Sequence, residues 1–298
     1  VDASTYLRPM TQLSALDGLG VIAADYDILF CDVWGVIHNG RESWSEACEA
    51  LTRFNAGGGH VVLISNSPRP ASDVLAQLDA LGVPRSAWRG FVTSGDATRA
   101  ELTRRAPGPA WLIGPERDAP LYAGTGVIPT DDTDTAHFIS VTGPNDDEVD
   151  TPEDYRDRLA PAAARGLELI CANPDRVVQR GDRMIYCAGA LADLYESLGG
   201  LVVMAGKPFA RIYDLALADA GRLAGGPVDR SRILCIGDGV VTDVLGANGQ
   251  GLDCLFVASG IHGDLARGAD GRVDVARAEA LLAAEGAHAR YAMLDLVW

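Results

Sequence analysis

The sequence predicts an α/β protein built on parallel sheet, with a second α/β domain inserted into the first. Three observations carry that expectation. Short apolar runs alternate with helical stretches along the 298 residues, which is the pattern of repeated βαβ units. The runs 27–33, 60–65 and 232–237 are apolar almost throughout, as strands covered on both faces must be. Polar and glycine-bearing segments follow the runs, and an open parallel sheet binds its ligands beyond the carboxyl ends of its strands.

Taken in order, strands are expected at 27–33, 60–65, 90–93, 110–113, 137–142, 167–171, 201–204, 232–237 and 253–257. Helices are expected between them at 44–56, 70–81, 96–105, 152–165, 189–198, 208–221, 242–248 and 274–285. The middle of the chain differs in composition. Residues 106–109 (Ala-Pro-Gly-Pro) read as a linker, residues 129–135 are acidic and turn-rich, and residues 143–153 are polar and loop-like. The expected organisation is a discontinuous main domain, 1–106 with 202–298, and an inserted α/β domain over 107–201.

Composition narrows the partners. A net charge of −16 and a pI near 4.6 repel nucleic acid and anionic lipid. They leave room for a phosphate site, because a divalent cation and backbone N–H groups reverse the field inside a cleft. No apolar run reaches about 18 residues, so no membrane span is expected. The first residues, Val1-Asp2-Ala3-Ser4-Thr5, lack a basic and an apolar region, so no signal peptide is expected. The six cysteines form no C-x-x-C pair and read as buried, reduced thiols of a cytoplasmic protein.

Chemistry-bearing residues end the apolar runs. The first run ends at Asp32, the second at Ser65-Asn66-Ser67, and the run 232–236 at Gly237-Asp238-Gly239 with Asp243 beyond. The run 201–204 leads into Gly206-Lys207-Pro208. Each segment alone is an ordinary turn or cap; together, in order and at strand ends, they make a site. A carboxylate can attack phosphorus. Carboxylates with a backbone carbonyl suit Mg²⁺. A hydroxyl with neighbouring N–H groups holds phosphate oxygens, and an ammonium stabilises charge on the transferring group.

These segments resemble the motifs of the haloacid dehalogenase (HAD) superfamily, and more closely its NagD-like class IIA phosphatase branch. Asp32-Val33-Trp34-Gly35-Val36 is similar to the first motif, usually Asp-x-Asp-Gly-Val. Ser65-Asn66-Ser67, Lys207, and Gly237-Asp238 with Asp243 resemble the second, third and fourth. Thr93-Ser94-Gly95-Asp96-Ala97-Thr98, Ala172-Asn173-Pro174-Asp175 and Ala188-Gly189-Ala190 resemble segments particular to the branch. The resemblance spans about residues 20–262 and implies a Rossmann-like core with an inserted C2-type cap. It implies Asp32 as nucleophile and Mg²⁺ ligand, with the Trp34 carbonyl and Asp238 as further ligands and Asp243 in support. It implies Ser65, Asn66 and Lys207 as the phosphate site and Asp175 and Arg176 as cap residues that read the substrate. Relatives of this class pair through their caps, so a homodimer is one option.

Trp34 departs from the pattern. It stands where the branch has the Asp that protonates the leaving group, a contribution of about 10²–10⁴-fold in rate. Indole cannot supply that proton. Three readings stay open. The protein is a Mg²⁺-dependent phosphohydrolase acting on a sugar, nucleotide or aryl phosphate, with His38 or His262 as a replacement acid/base or with substrates whose leaving group needs none. Or it is a phosphoryl-ligand-binding or regulatory protein with little turnover. Or it is dehalogenase-like, since that branch carries an aromatic residue at this position. Imine-dependent phosphonate cleavage has little support, because Lys207 is the chain's one lysine.

Overall fold

A computed structural model describes residues 12–180, 183–263 and 265–298. In chain order the strands are β1 Ser14–Ala15, β2 Ile28–Cys31, β3 His60–Ser65, β4 Gly90–Thr93, β5 Pro109–Ile113, β6 Ile128–Thr130 and β7 Phe138–Val141. They continue as β8 Glu168–Cys171, β9 Val177–Arg180, β10 Arg183–Tyr186, β11 Leu201–Met204, β12 Ile233–Gly237, β13 Asp253–Val257 and β14 Tyr291–Met293. The α-helices are α1 Ser45–Ala56, α2 Ala71–Ala80, α3 Ser94–Arg105, α4 Arg156–Ala164, α5 Ala188–Ser197, α6 Ala210–Ala224, α7 Leu245–Gln250 and α8 Val275–Ala284.

The chain divides into two compact units. Among the described residues, the first comprises those in 12–64, 76–91 and 213–298, the second those in 65–75 and 92–212. A seven-stranded sheet runs β1-β14-β13-β12-β2-β3-β4. Its pairs β1–β14, β14–β13, β13–β12, β12–β2 and β2–β3 are parallel. All residues of β2 and β12 are buried, which is why those runs carry no polar alternation.

The second unit holds a five-stranded parallel sheet, β11-β8-β7-β5-β6. Its two faces are read by period-2 alternation. Trp111, Ile113, Ile139, Val141, Leu169 and Cys171 pack with Leu159 of α4 and Leu191 of α5. The alternate residues Ala110, Phe138 and Ile170 pack with Leu102 of α3 and with Leu121.

The structure corrects the expected elements at a few places. Strand β5 starts at Pro109, paired with Ile128, so the expected linker ends earlier and the turn-rich segment opens as strand β6. Helix α3 starts at Ser94 because Thr93 caps it, accepting from the Asp96 N–H in a capping box. The antiparallel β9–β10 pair was not expected. None of the helices among the described residues is long and apolar enough to cross a membrane.

Candidate active site

The carboxylate cluster grows from the two central strands of the first unit. β2 and β12 are neighbours, with Cys31 opposite Ile236, and the Asp32 N–H donates to the Ile236 carbonyl at 2.8 Å. From β2 the sheet continues to β3 on one side, and from β12 to β13 on the other. Their carboxyl ends therefore flank a topological switch point, where such sheets open a ligand crevice. Asp32 and Asp238 directly follow those two strands, and Asp243 sits in the π-helical turn Val240–Val244. The Gly239 N–H donates to Asp243 Oδ2 at 3.0 Å.

One carboxylate oxygen from each of Asp32, Asp238 and Asp243 lies within 4.8 Å of the others. The three residues are 6%, 5% and 4% exposed. Like charges this close, taken out of water, repel strongly unless a cation joins them. An all-oxygen donor set of this kind fits a hard divalent ion such as Mg²⁺. Asp238 is also fixed from outside the trio. The Ile261 N–H donates to its Oδ2 at 2.6 Å, and Gly35, at φ +83°, lies so near that a Cβ there would sit 2.0 Å from the same oxygen. Residues 34–35 thus run directly against this carboxylate.

The segment after Asp32 folds back on itself. The Gly35 N–H donates to the His38 carbonyl at 2.9 Å, and Trp44 N–H to the Ile37 carbonyl at 2.8 Å. His38 is buried, and its Nδ1 accepts from the Gly40 N–H at 3.0 Å. Burial pushes its pKa down to about 4. The ring is therefore neutral near pH 7 with its proton on Nε2, a donor in structure and not a proton shuttle. His262 packs edge-on against Phe256, with ring centroids 5.7 Å apart. Its Nε2 is buried without a hydrogen-bond partner among the described residues, and burial lowers its pKa as well.

A second cluster lies in the other unit. Ser65 closes β3, and its Oγ accepts from the Ser67 N–H at 3.2 Å. Asn66 is the organiser. Its Oδ1 accepts from the Lys207 N–H at 2.7 Å, while its Nδ2 donates to the Lys207 carbonyl at 3.2 Å and to Asp175 Oδ1 at 2.9 Å. The side-chain amide thereby clamps the backbone of Lys207, a lysine only 2% exposed. Asp175 is placed by its own N–H, which donates to Asn173 Oδ1 at 3.0 Å. Arg176 points elsewhere, into a two-pronged pair with Asp193 at 2.6 and 3.0 Å.

The structure thus brings Asp32, Asp238 and Asp243 together in one unit and Ser65, Asn66, Lys207 and Asp175 in the other. Sequence reasoning missed the roles of the Ile261 N–H and of the Gly40 N–H on His38. Both are backbone groups, and the only trace in the sequence is Gly260 beside the first and Gly40 itself for the second.

Comparison with known proteins gives the family. The haloacid dehalogenase-like hydrolase pattern matches residues 29–128, and a HAD-hydrolase-like pattern matches residues 204–282. A crystal structure of a haloacid dehalogenase-like hydrolase from Brucella suis 1330 matches with a TM-score of 0.82 at 44% identity, covering 95% of this chain and 100% of that one. The chain belongs to the haloacid dehalogenase-like hydrolase family. Its two parallel sheets have the arrangement of a HAD core with a C2 cap, the fold of the NagD-like class IIA branch. The 5′-nucleotidase YutF of Bacillus subtilis is 26% identical over 77% of this chain and 86% of its own length. A glycerol phosphate phosphatase from Mycobacterium tuberculosis, solved in complex with magnesium, has a TM-score of 0.63 at 25% identity, covering 80% of this chain and 70% of that one.

Proposed function

We propose that this HAD family member is a Mg²⁺-dependent phosphohydrolase acting on a small phosphorylated metabolite through an aspartyl-phosphate on Asp32. The observation that carries this reading is the buried trio Asp32, Asp238 and Asp243, with oxygens within 4.8 Å of one another. Support comes from the relatives, a 5′-nucleotidase and a glycerol phosphate phosphatase, the latter crystallised with magnesium.

In this mechanism an Asp32 oxygen attacks phosphorus and the bond from phosphorus to the ester oxygen breaks. Water then attacks the phosphorus of the aspartyl-phosphate, releasing inorganic phosphate and regenerating the carboxylate. Asp32, Asp238 and the Trp34 backbone carbonyl would hold Mg²⁺, with Asp243 in support. The ion, when bound, offsets negative charge on the phosphoryl oxygens. Ser65 and Asn66 are proposed to bind those oxygens, and Lys207 to offset their charge, its backbone fixed by Asn66. Residues 107–201 are read as the C2-type cap, carrying Asp175 for substrate recognition, while Arg176 is engaged by Asp193. The Trp34 side chain costs the metal site nothing, since that ligand is backbone. What it removes is proton transfer to the leaving group, and neutral His38 does not restore it. Substrates with good leaving groups, such as aryl or acyl phosphates, follow from that loss.

A phosphate-release screen over sugar, nucleotide, aryl and acyl phosphates, with and without Mg²⁺, tests this reading. Asp32→Asn should abolish turnover and leave the melting temperature within a few degrees of wild type. Retained activity in that variant would refute the mechanism. Phosphate binding without turnover on any substrate would instead favour a regulatory, phosphoryl-binding protein, the reading that Trp34 keeps open.

A further inference from the structure

We propose that the Trp34 indole is a recognition surface for a planar aromatic leaving group, and that the preferred substrates are aryl phosphates. The inference rests on the phosphohydrolase reading and names the substrate class of the same site. Its first ground is placement. Trp34 lies two residues beyond Asp32 and directly before Gly35, whose Cα lies against Asp238. Two residues of extended chain span at most about 7 Å, so the backbone that carries the indole belongs to the immediate surroundings of the carboxylate trio, and the proposed arrangement sets the ring's free face towards the leaving group.

The second ground is that the indole is both exposed and fixed. Trp34 is 40% exposed, unusual for a side chain that proteins otherwise bury. Yet it is held by its own segment. It meets the His38 ring edge-to-face, with centroids 5.4 Å apart at 81°. Its far edge rests on Gly40, where a Cβ would lie 2.3 Å from Trp34 Cη2. Buried His38 in turn holds the Gly40 N–H through Nδ1. A rigid aromatic surface with free area binds a flat ring at low entropic cost.

The third ground is chemical and independent of the packing. An aryl oxide leaves near the acidity of a phenol, with a pKa of about 10. An alkoxide is a far stronger base, closer to hydroxide. The substitution that removes the carboxylic acid and supplies an indole therefore makes the same choice twice. It disfavours alkyl esters, which need protonation, and it provides a stacking face for aryl esters, which do not.

The test compares two phosphonates that resist hydrolysis and differ in the ring alone. Isothermal titration with Mg²⁺ measures phenylphosphonate and methylphosphonate on wild type, Trp34→Leu and Trp34→Phe, each checked for folding by thermal melting. Wild type should prefer the phenyl compound. Trp34→Leu should lower the phenyl-to-methyl affinity ratio about three- to tenfold, and Trp34→Phe should keep most of it. A wild-type ratio near one, or a ratio unchanged within twofold in Trp34→Leu, overturns the proposal. Phosphate release from phenyl phosphate and acetyl phosphate separates this outcome from failure of the underlying reading. Acetyl phosphate has a good leaving group and no ring. Hydrolysis of neither compound, or hydrolysis that survives Asp32→Asn, sinks the mechanism, while the phosphonate ratio still reports on Trp34.

Discussion

Gly35 stands against Asp238 with no room for a side chain: a Cβ at Gly35 would lie 2.0 Å from Asp238 Oδ2. Two segments separated by two hundred residues of chain are thereby set at contact distance. Gly35 also has φ +83°, a region that L-residues enter at a cost of about 1–2 kcal/mol.

Gly35→Ala should therefore act mainly on the site. The methyl group displaces the Asp238 carboxylate and shifts the backbone of Trp34. A misplacement of about 1 Å in a catalytic constellation costs about 10²-fold in rate. The expected outcome is a loss of that order in kcat, with stability lowered by about 1–3 kcal/mol. Urea unfolding and phosphate-release kinetics on the same preparation check it. A large loss of stability with unchanged kcat would contradict the placement.

His38 makes the fold sensitive to mild acid. Its folded pKa is pushed down to about 4 by burial, from an ordinary value of 6.5. Between those values the unfolded chain binds a proton that the folded chain excludes, so stability falls as pH drops from 6.5 to 4. The contribution is up to about 3 kcal/mol over that window. His38→Phe keeps a ring beside Trp34 but has no titrating nitrogen. It should be less stable at pH 7, where the Gly40 N–H loses its acceptor. Its stability should also vary less than wild type between pH 6.5 and 4, read from urea midpoints at each pH.

Much of this was legible in the sequence, and the exceptions have physical causes. Strands 60–65 and 253–257 have the bounds expected from their apolar runs, because a strand buried on both faces writes its limits into composition. The β9–β10 pair did not announce itself, since Gln179, Arg180 and Arg183 interrupt its apolar residues. Asp32, Ser65, Lys207, Asp238 and Asp243 could be singled out because topology places strand ends. The burial of His38, its bond to Gly40 and the clamp of Asn66 on Lys207 could not. Each depends on which loop meets which after folding, and a lone His or Asn looks the same either way.

Asn66 ties three backbone and side-chain groups together, and its amide nitrogen faces acceptors alone: Asp175 Oδ1 at 2.9 Å and the Lys207 carbonyl at 3.2 Å. Asn66→Asp replaces that donor with an oxygen and sets a buried carboxylate beside the half-buried one of Asp175. Their repulsion raises the affinity of the pair for a proton in the folded state. Stability should accordingly be lowest at alkaline pH, by about 2–4 kcal/mol relative to wild type. It should recover as pH falls towards 5, where a shared proton restores a donor. Denaturant midpoints of the variant against wild type at pH 5 and pH 8 measure it. A deficit independent of pH would show that the Asp175 contact is not what matters at this residue.

Trp34→Asp asks what the missing acid is worth. The new carboxyl would stand two residues after Asp32, near three carboxylates already within 4.8 Å of one another. Crowding by like charge holds its pKa up, which favours the protonated form that a general acid needs. Alkyl phosphates, whose leaving groups need a proton, should gain at least about tenfold in kcat, up to about 10³-fold. Aryl phosphates should gain far less, and should bind more weakly if the indole stacks on them. A series of esters with graded leaving-group acidity makes the distinction measurable. Log kcat should fall steeply with leaving-group pKa in wild type and shallowly in the variant. Equal slopes would show that bond cleavage is not limited by proton transfer in either protein, and that another group delivers the proton.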